Sequence, residues 1–249
     1  MTVSEVRCNM CPYVYILGIK FALYDIFAFA GLVVQHFVFM YCVKKRGGLS
    51  ICAREVQIIS VFFGAVGMKL LYALTRYDLW GVATPDVIFG GGVFYGGLFG
   101  TLLSGLAVLK IKGVDPSPYT DSAAVALPLF HSFGRVGCFF SGCCYGVESQ
   151  LGFMLGGERR FPVQLLSAGS LFALSVILFV LFKKKVLQGK LLFAYLTVYA
   201  VGRFFIEFLR GDEIRGKIWI FSTSQFISII ILSALFIYLC VQKKKTNSK

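Results

Sequence analysis

The chain alternates between long apolar stretches and short clusters of charged residues. A helix that crosses the hydrocarbon core of a bilayer needs about 20 mostly apolar residues. The weakest candidate, 120–140, contains Pro128, His131 and Arg135. The pattern therefore predicts an all-α, polytopic membrane protein of about seven transmembrane helices, with one domain over 1–249. The predicted helices are 19–42, 55–75, 92–110, 120–140, 163–182, 191–209 and 219–241.

Composition excludes an ordinary soluble protein. Of the 249 residues, 57% are hydrophobic and 15% are charged, whereas soluble domains carry about a quarter charged residues. The first apolar stretch is too long for the apolar part of a secretory signal, and it ends in Lys44, Lys45 and Arg46. We therefore interpret this stretch as a retained transmembrane helix.

The basic residues predict an orientation. The first, third and fifth predicted loops and the C-terminal tail carry fourteen of them, against eight on the other side. The positive-inside rule then places the C-terminus in the cytoplasm and the N-terminus outside. The net charge of +13 would also suit nucleic acid, but the basic clusters lie directly at helix ends, where they attract anionic lipid. We expect membrane lipid and no nucleic acid as a partner.

Two arginines fall inside predicted helices. Arg135 and Arg203 both lie toward the predicted outer ends of their helices, and a charge inside a membrane indicates a functional site. The guanidinium group offers a fork of donors that matches phosphate oxygens. Alternatively, Arg203 is simply neutralised by Glu207, four residues later on the same helical face. Together the arginines predict a phospholipid headgroup site near the outer leaflet.

The third predicted helix begins in a glycine-rich stretch. Gly97 and Gly100 are typical of close helix packing, whereas Tyr95, with glycines on its C-terminal side, is placed to reach into a cavity. In the first two helices, Asp25 and Lys69 each need a partner in lipid, and we expect them to pair with each other.

Five motifs occur in order from about Tyr24 to Arg210, and together they resemble the prolipoprotein diacylglyceryl transferase family. The resemblance implies seven helices, a cytoplasmic C-terminus and an active site that opens to the outer leaflet of the bacterial cytoplasmic membrane. It implies transfer of diacylglycerol from phosphatidylglycerol to the lipobox cysteine of a prelipoprotein, with release of glycerol phosphate. The motifs are Tyr24, Gly-Gly-x-x-Phe-Tyr95-Gly-Gly, Gly134-Arg135-x-Gly-x-Phe, Phe161-Pro162-x-Gln164-Leu165 and Arg203-Phe-x-x-Glu207-Phe.

The resemblance also implies roles for individual residues. Arg135 matches the signature arginine that holds the lipid phosphate, and Arg203 matches a second essential arginine, with Glu207 as its partner. Tyr24 matches a tyrosine near the headgroup, and no cofactor or metal is implied for the transfer. The expected substrate-binding residues are Tyr24, Gly96, Gly97, Gly134, Gly137, Cys138, Cys143 and Gly146.

The chain departs from the family's pattern at three positions. Tyr95 stands where well-known members have a histidine that is a proposed base, and a phenol with a pKa near 10 is a poor base at neutral pH. His131, one turn before Arg135 on the same face, is a hypothetical replacement. Cys138 and Cys143 replace an asparagine and a glutamate, which bears on the identity of the acceptor.

The eight cysteines leave three interpretations open. They are small packing residues, or they form an extracytoplasmic disulfide, or Cys8, Cys11, Cys143 and Cys144 form a metal or redox centre.

Three classes of function compete. The first is the transferase, acting on phosphatidylglycerol and prelipoprotein signal peptides, or a paralogue that uses the same lipid chemistry on another acceptor. The second is a transporter for an anionic solute, and the third is a redox or metal-handling membrane protein. The ordered motifs favour the transferase.

Overall fold

The computed structural model describes residues 13–16, 19–75, 93–155, 157–212, 217–218 and 221–247. In this part of the chain the architecture is helical, with seven α-helices and three two-stranded hairpins. The helices are α1 (Leu23–Lys45), α2 (Ser50–Thr75), α3 (Phe94–Ile111), α4 (Ser117–Phe140), α5 (Val163–Lys183), α6 (Leu191–Ile206) and α7 (Thr223–Asn247). A 3₁₀ turn, Glu207–Leu209, follows α6.

Six of these helices are long and apolar enough to cross a membrane, and the remaining apolar helix, Tyr95–Ile111, is shorter. The prediction of a polytopic, helical membrane protein is therefore confirmed. All seven predicted apolar stretches contain a helix. The prediction of a single domain over 1–249 stays a prediction.

Two predicted helix starts fall on strands, and the helix predicted from 55 begins earlier, at Ser50. Residues 19–22 form a strand that pairs antiparallel with Tyr13–Ile16, so α1 begins only at Leu23. Likewise Phe221–Ser222 is a strand paired with Lys217–Ile218, and α7 begins at Thr223. In both places the number of apolar residues does not distinguish a short strand from the end of a helix, because aromatic and β-branched residues occur in both. The third hairpin pairs Glu148–Leu155 with Glu158–Arg160.

Helix α4 continues through Pro128, one of the three residues that made this stretch the weakest sequence prediction. A proline interrupts the hydrogen-bond ladder of a helix, and neighbouring helices compensate for this in membranes. Here α5 packs closely on α4: the Ser175 hydroxyl donates to the Val125 carbonyl at 2.7 Å, and the Ser132 hydroxyl donates to the Ala168 carbonyl at 2.9 Å. These interhelical bonds hold the part of α4 that carries Arg135.

The distribution of polar and apolar side chains suits a lipid environment. Large apolar side chains on the helices face outward, such as Phe29 at 69% exposed and Phe62 at 63%. Small polar side chains are buried between helices instead, where hydroxyl and amide groups find partners. The buried set includes Gln35, Gln57, Ser60, Ser132, Ser167, Ser175, Ser224, Gln225 and Ser228.

The chain divides into two compact units, each described by itself. In the unit Met40–Ser122, α2 packs along α3 through glycines: a Cβ at Gly96 would overlap the Gly67 carbonyl, and one at Gly100 would overlap the Phe63 carbonyl. The buried Asp121 carboxylate forms an ion pair with the Arg46 guanidinium, with 3.6 Å between nitrogen and oxygen. The second unit, Met1–Phe39 with Ala123–Lys249, contains both intramembrane arginines.

Candidate active site

Helices α4, α5 and α6 enclose a cavity of about 100 Å³, several times the space that one water molecule needs. Arg135 of α4 and Arg203 of α6 both line it. The rest of the wall is mixed, with Leu171 and Leu174 as apolar examples and Ser167 as a polar one. Two cations in a largely apolar cavity form a site for an anionic group, because a low dielectric strengthens each contact.

Arg135 is half-buried and its partner on the same helix is a histidine. The Arg135 Nε donates a hydrogen bond to Nε2 of His131 at 3.3 Å. The prediction that these residues share one face of α4 is confirmed. Because Nε2 accepts this bond, the imidazole is neutral at that nitrogen. The guanidinium still has its two terminal nitrogens with which to bind an anion.

Arg203 is only 6% exposed and is held from two directions. One terminal nitrogen lies 2.6 Å from the Glu207 carboxylate and donates to the Ser224 hydroxyl at 2.9 Å. The predicted pairing of Arg203 with Glu207 is therefore confirmed. Pairing does not remove Arg203 from the cavity, since a guanidinium offers five donors in a fixed fork. Glu207 and Ser224 thus orient this arginine.

Several residues of the cavity wall were missed from sequence, among them Tyr199 and Gly202. Tyr199, one turn before Arg203, is 6% exposed, and its ring lies 5.4 Å from the His131 ring. Gly202 lines the same cavity, and a Cβ placed on it would meet nothing within 4 Å. The spacing of Tyr199 to Arg203, four residues on a helix, was the available signal.

Tyr24 lies beside the signature stretch of α4. A Cβ on Gly137 would stand 3.2 Å from both Cα and Cδ2 of Tyr24, so Gly137 allows α1 to approach α4 closely. Gly134 differs, because a Cβ there would meet nothing within 4 Å. Gly137 therefore has a packing function, whereas Gly134 leaves space next to Arg135, and the substrate contacts expected of both glycines stay predictions.

The loop after α4 is fixed by backbone hydrogen bonds from two other segments. The Gly146 amide donates to the Phe161 carbonyl at 3.2 Å, and the Val147 amide donates to the Leu209 carbonyl at 3.0 Å. A Cβ on Gly146 would lie 2.5 Å from the Phe161 oxygen, so only glycine fits. The Gln164 side chain donates to the Cys143 carbonyl at 2.8 Å. These contacts explain why the motifs around Gly146 and Gln164 occur together.

The cysteines at this loop are close to one another. The sulfur atoms of Cys138, Cys143 and Cys144 all lie within 4.8 Å of each other. The six cysteines of the described residues form no disulfide, whereas Cys8 and Cys11 lie outside the described residues. Hydrogen bonds with the Cys138 and Cys144 thiols, together with burial, raise the pKa of the Cys143 thiol.

Tyr95, Gly96 and Gly97 belong to the other compact unit. Tyr95 is buried, at 5% exposed. The α2 backbone lies where a Cβ on Gly96 would be, whereas a Cβ on Gly97 would make ordinary contacts of 3.5 Å. Gly96 therefore has a packing role in this unit, and the substrate contacts expected of Tyr95, Gly96 and Gly97 stay predictions. So does the expected Asp25–Lys69 pair.

Comparison with known proteins gives a consistent result. The family described as prolipoprotein diacylglyceryl transferase matches residues 12–241. A phosphatidylglycerol–prolipoprotein diacylglyceryl transferase 2 of Clostridium perfringens is 34% identical over 87% of this chain and 89% of its own length. Enzymes named phosphatidylglycerol–prolipoprotein diacylglyceryl transferase from Clostridium tetani and Clostridioides difficile are 33% and 26% identical, over 78% and 94% of this chain and 83% and 96% of theirs. With its motifs in order and both arginines on one cavity, this chain belongs to the prolipoprotein diacylglyceryl transferase family.

Proposed function

We propose that this membrane transferase moves the diacylglyceryl group of phosphatidylglycerol to the cysteine thiol of a prelipoprotein. The observation that carries the proposal is the cavity shared by Arg135 and Arg203. Two guanidinium groups on one cavity bind a phosphodiester better than either alone, since each supplies charge-assisted hydrogen bonds. The names of the relatives supply the two substrates.

The arginines have a direct part in the chemistry. In the transfer, the thiol sulfur forms a bond to the glycerol carbon of the diacylglyceryl group while the bond from that carbon to the phosphate oxygen breaks. The leaving group is glycerol phosphate, and its phosphate gains negative charge as the bond breaks. Donors that are already in place where charge develops lower the barrier most. We assign this function to Arg135 and Arg203, with Glu207 and Ser224 fixing the orientation of Arg203.

The thiol proton needs an acceptor, because the thiolate is the nucleophile. We retain His131 for this role. In the ligand-free cavity its Nε2 accepts from Arg135, and a phosphate that draws the Arg135 donors away would free that lone pair. Binding of the lipid would thereby prepare the base. Replacing His131 with phenylalanine tests this: a near-normal transfer rate would end the assignment.

The lipid donor requires a path from the bilayer. Ser170 of α5 and Val198 of α6 line the cavity and are both exposed. We infer that phosphatidylglycerol enters between these two helices, its headgroup in the cavity and its acyl chains outside against apolar helix surface. We place the site toward the outer leaflet of the bacterial plasma membrane, with the C-terminus in the cytoplasm, on the distribution of basic residues.

The test uses the purified full chain in phosphatidylglycerol vesicles with a peptide that contains a lipobox cysteine. Wild-type protein should add one diacylglyceryl mass to the peptide thiol. Arg135→Ala and Arg203→Ala should each lower the rate by about 10²–10³, as expected for the loss of a transition-state donor. Arg159, on the exposed hairpin, provides the matched control as Arg159→Ala. A folded wild-type chain without transfer, or an Arg135→Ala variant at wild-type rate, would refute the proposal.

A further inference from the structure

A cluster of three thiols follows Arg135 along the chain and does not line the cavity of the two arginines, and the substrate contacts expected of Cys138 and Cys143 stay predictions. This thiol cluster consists of Cys138 in the last turn of α4 and Cys143 and Cys144 in the following loop, with all three sulfurs within 4.8 Å of one another. In the part of the chain that the structure describes, it is the one group of three or more cysteine, histidine or acidic side chains with ligand atoms this close.

The backbone presets the geometry of the cluster. The Cys143 amide donates to the Cys138 carbonyl at 3.2 Å, which closes the turn after α4. Cys144 adopts a left-handed conformation with φ of 59°, following Gly142 at 66°. The Gln164 side chain then holds the Cys143 carbonyl from α5. These backbone and Gln164 contacts fix the turn that carries the three sulfurs.

We propose that the thiol cluster binds one thiophilic d¹⁰ metal ion, Zn²⁺ or Cu⁺, through the sulfurs of Cys138, Cys143 and Cys144. Soft thiolate ligands select these ions. Metal–sulfur bonds of about 2.3 Å place three sulfurs about 4 Å apart. A separation of at most 4.8 Å therefore needs only a small contraction. Each thiol releases its proton to solvent on binding, and the exposed Cys143 gives ions access.

Nearby charges suit an anionic metal–thiolate centre. Three thiolates with a monovalent or divalent ion carry net negative charge. Arg135 lies within electrostatic range of Cys138, and Arg210 lies within range of Cys144. Nearby cations stabilise an anionic centre by direct electrostatic attraction. A disulfide, by contrast, would use only two of the three sulfurs and would leave the third without a function.

The experiment measures metal binding, so it is independent of whether the chain transfers diacylglycerol. The full chain is purified in detergent, reduced, stripped of metal and titrated separately with Zn²⁺, Cu⁺ and Cd²⁺, the last for its sulfur-to-metal charge-transfer band. We expect one ion per chain and protection of three of the eight thiols from alkylation. Competition with chelators of known affinity for Zn²⁺ and Cu⁺ separates the two ions.

Matched variants locate the site. Cys143→Ser and Cys144→Ser should each lower the affinity at least a hundredfold, whereas Cys240→Ser, at an exposed single cysteine of α7, should bind like wild type. Thermal unfolding checks that each variant is folded. A Cys8→Ser/Cys11→Ser variant should also bind normally. Three outcomes would overturn the proposal: no stoichiometric binding by reduced wild type, binding unaffected by Cys143→Ser, or a native disulfide within the cluster that accounts for its thiols.

Discussion

The α2–α3 contact and the cavity among α4, α5 and α6 use glycine in opposite ways. Between α2 and α3, a methyl group on Gly96 or Gly100 has no room, because backbone carbonyls of α2 already occupy the position. At the cavity, a methyl group on Gly202 would meet nothing within 4 Å. Glycine in the first region brings two backbones together, and in the second it leaves space for a ligand.

The two regions also differ in what a substitution should cost. At the α2–α3 contact, the expected loss is one of packing and therefore of stability. At the cavity, the buried Arg203 is paired with Glu207, so removal of the arginine leaves a buried carboxylate without its main partner, at a large cost in stability. Space itself, in contrast, can be filled there without loss of stability.

The largest effect is expected for Arg203→Ala. Removal of the Arg203 side chain leaves the Glu207 carboxylate buried, and the remaining cation near it is Arg210, whose Nε lies 4.0 Å from the carboxylate oxygen. We expect a loss of about 3–5 kcal/mol in the free energy of unfolding, measured by thermal or denaturant unfolding in detergent, together with loss of transfer. Arg203→Ala/Glu207→Gln should recover most of the stability and none of the activity. A stable Arg203→Ala variant would contradict the buried pair.

The second effect concerns the α2–α3 contact. Gly96→Ala and Gly100→Ala should each lower the free energy of unfolding by about 1–3 kcal/mol, because overpacking forces the helices apart. Gly97→Ala is the matched control, since its Cβ would make ordinary contacts of 3.5 Å. Equal unfolding curves for Gly96→Ala and Gly97→Ala would show that the helices do not approach this closely.

The third effect concerns Gly202, where we expect a substitution to affect lipid binding and not stability. Gly202→Ala should raise the KM for phosphatidylglycerol by roughly tenfold, since a methyl group is worth about 1 kcal/mol or more in a fitted pocket. Its unfolding free energy should stay unchanged or rise slightly, because alanine favours the helix. Gly169→Ala on α5, also free of contacts within 4 Å but outside the cavity wall, should leave the KM unchanged and affect the unfolding free energy as Gly202→Ala does. A wild-type KM in Gly202→Ala would place the lipid elsewhere.

The smallest effect tests the packing behind the cavity. Ser175→Ala removes the interhelical bond to the Val125 carbonyl and should cost about 0.6 kcal/mol of unfolding free energy, the average for such bonds in membranes. The exposed Ser170 donates only within its own helix, to the Leu166 carbonyl. Ser170→Ala should therefore cost less than Ser175→Ala, and a reversed order would contradict the α4–α5 contact.

Much of the helical architecture could be predicted from the sequence, because lipid imposes a length and an apolar character on each spanning helix. The pairing of Arg203 with Glu207 and the shared face of His131 and Arg135 were equally accessible, since four-residue spacing fixes the face of a helix. The strand at 19–22 could not be predicted in this way. It forms because it pairs with the strand Tyr13–Ile16, and its own composition also suits a helix.

Long-range contacts account for most of what sequence could not supply. Ser224 reaches Arg203 across 21 residues, and Gln164 reaches the Cys143 carbonyl across a similar separation. The sequence interpretation grouped Cys143 and Cys144 with two N-terminal cysteines, whereas the structure brings Cys138 to them. A turn with a left-handed residue at Cys144 causes this convergence, and no spacing rule for metal ligands anticipates it.

The central claim is that Arg135 and Arg203 act on the same phosphate, and a double-mutant cycle tests it most directly. Single-turnover transfer from phosphatidylglycerol is measured for Arg135→Lys, Arg203→Lys and the variant with both changes. Residues that act as a unit are not additive. We therefore predict that the double variant loses far less than the product of the two single losses. A loss equal to that product would show that the two arginines act independently and would contradict the shared site.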